Sequence, residues 1–115
     1  MSQLQEQFAI DAARLIAQLN TMGYTCTLGE AYRTPEQALL NAQTGAGITH
    51  SLHIYRLAID LNIFKNGVWL KDGADFKDLG AWWCALSPEH KWGGNFTTRP
   101  DGNHFSISPD GGKTQ

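Results

Sequence analysis

The sequence lacks the features of several large functional classes. Charged residues make up only 17% of the chain and give a formal net charge of −2, so no basic surface points to DNA or RNA. No apolar run approaches membrane-spanning length, and no basic segment precedes an apolar stretch at the N-terminus. We therefore expect no nucleic-acid or membrane partner, and synthesis in the cytoplasm without a signal peptide.

Cysteine is also scarce. Cys26 and Cys84 stand alone, with no CxxC pair. This favours two buried thiols over a disulfide, although the sequence leaves a disulfide open. Both cysteines fall on inferred core faces, which argues against a nucleophilic thiol.

What the chain does contain is enough apolar material for one core. Of its 115 residues, 42% are hydrophobic, which predicts a single domain over residues 1–115. Twelve glycines indicate tight loops, and four tryptophans indicate large anchors in the core or along a cleft. We expect residues 109–115 to form a frayed polar tail.

Apolar spacing and turn residues predict short strands separated by helices. Asn66-Gly67 is a strong hairpin signal, and Thr34-Pro35 is typical of a helix start. The predicted elements are a helix over 4–22, a strand over 24–28, a short helix from Thr34, a strand over 57–64, its hairpin partner over 68–70, a helix over 75–86 capped by Asp75, and a short strand within 101–107. The fold class is therefore α+β, with a small antiparallel sheet flanked by helices.

One carboxylate in this pattern needs an explanation. Asp60 lies inside the apolar run 57–64, where burying a charge is costly unless it is paired or binds a metal. In the predicted final strand His104 lies on the polar face, and His53 lies in the loop before the Asp60 strand. If the two strands are neighbours, one carboxylate and two imidazoles make a three-ligand zinc set with a fourth position for water. The residues alone leave open that Asp60 pairs with Arg56 or Arg33 instead.

Two further residues could act on a substrate near such a metal. Asp101 stands three residues before His104 and could serve as a general base, or it could be an ordinary Asp-Gly turn residue. Arg33, at a predicted strand-to-helix junction, could bind a carboxylate or stabilise an oxyanion, or lie on the surface. Ser51 is a candidate hydrogen-bond donor to substrate. The rival residues are two histidines, His50 and His90, as metal ligands, and two glutamates, Glu30 and Glu89, as general bases.

Together these residues resemble the zinc D,D-peptidase and L-alanyl-D-glutamate endopeptidase family. That family includes VanX-like and VanY-like enzymes and many phage endolysins, and it shares the Hedgehog/DD-peptidase fold. The matching segments, over roughly residues 28 to 107, are Tyr32-Arg33-Thr34-Pro35-Glu36-Gln37, Ser51-Leu52-His53 followed by Asp60, Trp92-Gly93-Gly94-Asn95-Phe96, and Asp101-Gly102-Asn103-His104.

The resemblance implies a role for each matching residue. His53, Asp60 and His104 would hold Zn²⁺, Asp101 would be the general acid and base, and Arg33 would bind or polarise the substrate. Ser51 and Trp92 would contact the substrate as well. The dipeptidases of the family carry Glu where this chain has Asp101, whereas Asp is found in the phage endopeptidase branch.

The expected function is therefore that of a zinc metallopeptidase acting on peptidoglycan stem peptides. The expected bond lies between L-alanine and D-glutamate, and the expected setting is a phage or prophage endolysin that reaches the cell wall after the membrane is breached. A monomer is the default for an enzyme that acts on a giant polymer. The alternatives are a D,D-carboxypeptidase or dipeptidase of the same family, and a wall-binding module that has lost catalysis.

Overall fold

The structure, a computed structural model, describes residues 2–44 and 51–115. The helices are α1 (Ser2–Thr21), α2 (Pro35–Gln43) and α3 (Lys77–Cys84), and the strands are β1 (Thr25–Leu28), β2 (Ala58–Lys65), β3 (Val68–Trp69), β4 (His90–Trp92) and β5 (His104–Ile107). Short 3₁₀ helices span Leu52–Tyr55, Gly73–Phe76 and Gly93–Asn95. Within the described ranges, no helix is both long enough and apolar enough to cross a membrane.

The strands form one antiparallel sheet in the order β1-β2-β5-β4, and β3 pairs with β2. The α+β prediction is thus confirmed. In the pairing of β2 with β5, Asp60 lies directly opposite His104, and Ile59 lies opposite Phe105. This register brings two residues that are distant in sequence onto neighbouring positions of the same face.

The core lies on the other face of β2 and β5. Leu61, Ile63 and Phe105 are fully buried there, as the alternation of apolar and polar residues predicts. Trp83 of α3 is also fully buried, and its indole N–H donates to the carbonyl oxygens of Lys91 and Ser106 at 3.0 and 3.1 Å. These bonds fasten α3 to the sheet edge beside the polar face.

Two local predictions are confirmed in detail. Asn66 and Gly67 have φ values of 52° and 78°, the left-handed pair of a tight hairpin turn between β2 and β3. At the start of α2, the Thr34 hydroxyl accepts a hydrogen bond from the Gln37 backbone N–H at 3.0 Å.

One other prediction is wrong, and one strand had no predicted counterpart. Asp75 does not cap a helix, because it lies within the 3₁₀ turn that the Asp72 carboxylate caps through the Ala74 N–H at 3.0 Å. Strand β4 was missed because three residues that end at a glycine pair carry almost no periodicity. In the C-terminal segment, the Ser108 hydroxyl donates to the Asp110 carboxylate at 2.8 Å and accepts from the Gly112 N–H at 3.0 Å.

Candidate metal centre and its cleft

Three separate elements place His53, Asp60 and His104 together. Asp60 and His104 come from β2 and β5, and His53 comes from the 3₁₀ helix Leu52–Tyr55. The Ser51 hydroxyl caps that helix by accepting from the His53 N–H at 3.2 Å. As a result, Nε2 of His53 lies 3.2 Å and Nδ1 of His104 lies 3.5 Å from the same atom, Oδ1 of Asp60.

These three residues form a group whose ligand atoms lie close enough together to hold a metal ion. Oδ1 of Asp60 is buried and has no hydrogen-bond partner among the described residues, although both imidazoles are close to it. Ligand atoms about 2.0–2.1 Å from a tetrahedral zinc ion lie about 3.3–3.4 Å apart, which matches the two observed spacings. The one oxygen and two nitrogens therefore fit a zinc ion.

The outer side of His53 is also fixed. Its Nδ1 lies 3.0 Å from the Ala31 carbonyl oxygen, so Nδ1 carries a proton, and Nε2 is the ring nitrogen that faces Asp60. A backbone carbonyl that orients an imidazole in this way is a common support for a metal ligand. Burial opposes the ionisation of Asp60, but the two imidazoles outweigh it and hold the pKa of that carboxyl well below its usual range.

Asp101 lies on the turn before β5, at the edge of the same site. The Gly93 carbonyl accepts from the Asp101 N–H at 2.9 Å, and the Asp101 carbonyl accepts from the His104 N–H at 3.1 Å. Desolvation in the cleft, followed by the negative charge of Asp60, raises the pKa of the Asp101 carboxyl. A carboxyl whose pKa is raised towards neutrality is better suited to passing a proton in both directions.

Backbone hydrogen bonds continue past the end of β1 and hold the segment that carries Arg33 beside the site. The Asp60 N–H donates to the Glu30 carbonyl at 2.8 Å, and the Arg33 N–H donates to the His53 carbonyl at 3.2 Å. The Arg33 side chain is largely buried, and its Nε donates to Oε1 of Glu30 at 2.9 Å, while Nη2 contacts the same oxygen. Oε1 of Glu30 also lies 3.9 Å from Nδ1 of His53.

The cleft formed by these residues has a volume of about 230 Å³. Its lining includes six of the seven predicted site residues, all but Trp92, and adds four to which the sequence gave no role: Phe96, Arg99, Pro100 and Gln115. Arg99 has a φ of 55°, a left-handed conformation that is uncommon for an arginine. Glu30 was considered only as a general base, and its position three residues before Arg33 was the available signal for an ion pair.

Other candidate residues lie elsewhere. Trp92 is only 4% exposed, its indole donates to the Gly102 carbonyl at 2.7 Å, and it lines a second cavity rather than the cleft, so its substrate contact stays a prediction. Arg56 stacks on the Tyr32 ring at 4.0 Å instead of pairing with Asp60. Both cysteines are free and half-buried, and burial raises the pKa of each thiol.

Of the two rival histidines, His90 lies in the described part of the chain, and it does not join the site. His90 is buried, its Nε2 lies 2.9 Å from the Asp11 carboxylate, and its Nδ1 lies 2.7 Å from the Ser87 hydroxyl. His50 lies outside the described residues. Glu89 lines a cavity beside Asp11 and His90 rather than the metal cleft.

Comparison with known proteins gives a family match and matches to solved structures. A model of the D-alanyl-D-alanine carboxypeptidase family matches residues 44–107, more than half of the chain. Among solved structures, the fold is similar to that of the L-Ala D-Glu endopeptidase ChiX of Serratia marcescens, with a TM-score of 0.61 and 19% sequence identity. That match covers 73% of this chain and 67% of the other. A search of curated proteins found no significant match.

Proposed function

Because the chain belongs to the D-alanyl-D-alanine carboxypeptidase family, we propose that it is a zinc peptidase that cleaves the stem peptides of bacterial peptidoglycan. One observation carries the proposal: two imidazole nitrogens converge on a buried carboxylate oxygen that has no hydrogen-bond partner among the described residues. His53, Asp60 and His104 would hold the zinc ion. When bound, zinc supplies the Lewis acidity that makes water nucleophilic near neutral pH.

The protein's own groups then perform the proton transfer. Asp101 accepts a proton from the attacking water, and it later donates that proton to the nitrogen of the leaving amine. Its raised pKa favours this exchange, because the carboxyl holds the proton more readily than an ordinary aspartate does. A covalent intermediate with the protein is not required.

Arg33 has a different part in the reaction. Its guanidinium is held by Glu30 and faces the cleft, so it can donate to the substrate carbonyl oxygen as negative charge develops there. Because Glu30 contacts Nε and Nη2, the remaining N–H groups of the guanidinium are left for the substrate.

For the bond that is cut, we favour the one between L-alanine and D-glutamate. A second cavity of about 670 Å³ shares the lining residues Pro100 and Asp101 with the cleft and leaves room for several residues beyond the scissile bond. An endopeptidase needs that room, whereas a carboxypeptidase releases only one terminal residue. The aspartate at position 101 supports the phage endolysin branch of the resemblance, so we place the protein as a monomeric phage or prophage endolysin.

A D,D-carboxypeptidase is the second candidate, and the description of the matching family favours it. The two activities release different groups from the same polymer. An L-alanyl-D-glutamate endopeptidase exposes new D-glutamate amino termini, whereas a D,D-carboxypeptidase releases free D-alanine. A wall-binding module without catalysis would release neither, and the presence of Asp101 beside the three ligands speaks against it.

The test is digestion of purified peptidoglycan by the zinc-loaded protein, with and without a chelator, followed by mass spectrometry of the products. We expect released stem peptides that begin at D-glutamate, and we expect them to form only without the chelator. Free D-alanine as the product would support the second candidate. Absence of any metal-dependent cleavage would contradict the proposal.

A further inference from the structure

A second and larger cavity adjoins the metal cleft. Its volume is about 670 Å³, against about 230 Å³ for the cleft, and Pro100 and Asp101 line both cavities. Asp101 therefore lies at the boundary between them. Lys71 and Lys77 line the larger cavity, and we call this cavity the lysine groove.

Two backbone segments that line the lysine groove are packed directly against each other, one at Gly73 and the other at Gly102. A Cβ placed on Gly102 would lie 2.6 Å from the Cα of Gly73, so the two backbones meet with no room for a side chain. The indole of Trp92 lies beneath this contact and donates to the Gly102 carbonyl at 2.7 Å. The segment that carries the lysines is thus held at a fixed distance from the turn that carries Asp101.

The charged groups of the lysine groove are two lysines and two aspartates. Oδ1 of Asp72 accepts from the Ala74 N–H at 3.0 Å and so caps the 3₁₀ helix Gly73–Phe76. Lys77 is solvent-exposed, and the Lys71 ammonium lies 5.0 Å above the ring of Trp69. Both ammonium groups can therefore turn towards an anionic ligand in the groove.

The proposed proton transfer decides which half of the substrate would enter the groove. A general acid must lie next to the nitrogen that it protonates, so the amine side of the scissile bond passes Asp101. Beyond Asp101 lies the lysine groove. In a stem peptide the residue at that position is D-glutamate, which continues the chain through its side-chain carboxyl and so leaves its α-carboxylate free.

We propose that the lysine groove is the subsite for the amine-side half of an acidic peptide, and that Lys71 and Lys77 bind its free carboxylates. This assignment rests on the proposed function and extends it to the choice of substrate. A carboxylate at this position pairs with a lysine ammonium, whereas a carboxamide loses that attraction. The protein then prefers stem peptides with a free D-glutamate α-carboxylate over their amidated counterparts.

The test uses two synthetic peptides, N-acetyl-L-alanyl-γ-D-glutamyl-L-lysine and the same peptide with the glutamyl α-carboxylate converted to a carboxamide. The kcat/KM for each is measured with zinc-loaded wild-type protein, with the double variant Lys71→Gln/Lys77→Gln, and with Lys113→Gln. Lys113 is an exposed lysine that does not line the groove, so its variant shows the effect of removing one lysine charge elsewhere on the surface.

We expect wild type and Lys113→Gln to prefer the acidic peptide by about tenfold, as two solvent-exposed ion pairs can provide. The double variant should lose most of this preference through a higher KM for the acidic peptide, with a smaller change in KM for the amide. An unchanged preference in the double variant, or equal cleavage of both peptides by wild type, would overturn the assignment. Wild-type protein that cleaves neither peptide contradicts the proposed function itself, and this assignment with it.

Discussion

Nε2 of His53 lies 3.2 Å from Oδ1 of Asp60, yet that oxygen accepts no hydrogen bond in the described part of the chain. Two polar atoms at this distance would ordinarily share a proton. Here Nδ1 of His53 donates its proton to the Ala31 carbonyl, which leaves Nε2 as the nitrogen that faces the carboxylate. When the imidazole is neutral, Nε2 and the carboxylate oxygen can both bind one cation, and this relationship underlies the proposed zinc centre.

Zinc should therefore stabilise the folded protein through His53. A zinc concentration 100 times the Kd adds about 2.7 kcal/mol to the free energy of unfolding, or roughly 10 °C in Tm for a chain of this size. His53→Ala should lose this gain, and thermal unfolding with and without zinc measures it. His50→Ala is the matched control and should keep the gain. If the two results are exchanged, the ligand has been assigned to the wrong histidine.

Asp101→Asn should reduce kcat by about 10²–10⁴-fold, because an amide cannot accept the proton of the attacking water. Zinc affinity should be unchanged. In wild type, kcat/KM should fall as the pH is lowered through the raised pKa of Asp101, since the carboxylate must be ionised to act as a base. The residual activity of the variant should lack that decline. Asp75→Asn, on the neighbouring 3₁₀ helix, is the control, and full activity in Asp101→Asn would show that another group moves the proton.

Glu30→Gln tests whether Glu30 acts by positioning Arg33. The neutral amide keeps the shape of the side chain but weakens its hold on the guanidinium, so kcat should fall by roughly tenfold with a smaller change in KM. In an Arg33→Ala background the same change should have almost no further effect, because two residues of one network are not additive. An equal loss in both backgrounds would instead assign the effect to His53, whose Nδ1 lies 3.9 Å from Glu30.

Tyr24 gives a prediction about stability rather than activity. Its hydroxyl donates to the Asp78 carboxylate at 2.8 Å, and burial together with that carboxylate raises the pKa of Tyr24 from 10.0 to about 12. Because the folded-state pKa is the higher one, this contribution is complete below pH 10 and is lost as the pH rises towards 12. Urea unfolding between these pH values should show a decline in wild type that Tyr24→Phe largely lacks. An equal decline in both proteins would assign the alkaline effect to other groups.

Much of the site could be predicted because alternation along a strand is a strong signal. The apolar residues Leu61 and Ile63 place Asp60 on the opposite face, and the same reasoning places His104 opposite Phe105. Once both lie on polar faces, only the pairing of their strands is needed to bring them together. The hairpin at Asn66-Gly67 could be predicted because both residue types tolerate a left-handed backbone.

The rest of the site depends on tertiary contacts that leave no periodic trace. Arg99 lines the cleft from an irregular loop, and Glu30 is defined by its ion pair with Arg33 rather than by a pattern. Trp92 was expected to contact the substrate. Its indole ring packs closely against a glycine, because a Cβ on Gly80 would lie 2.2 Å from the ring. Large aromatic residues in a glycine-rich segment are therefore ambiguous between core and cleft when only the sequence is known.

The central claim is that His53, Asp60 and His104 hold a catalytic zinc ion. The most direct measurement is a crystal structure of the zinc-loaded protein with diffraction data collected on both sides of the zinc absorption edge. We expect one strong anomalous peak about 2.0–2.2 Å from Nε2 of His53, Oδ1 of Asp60 and Nδ1 of His104. A peak at His90 and Asp11 instead, or no peak among the three residues in fully loaded protein, would contradict it.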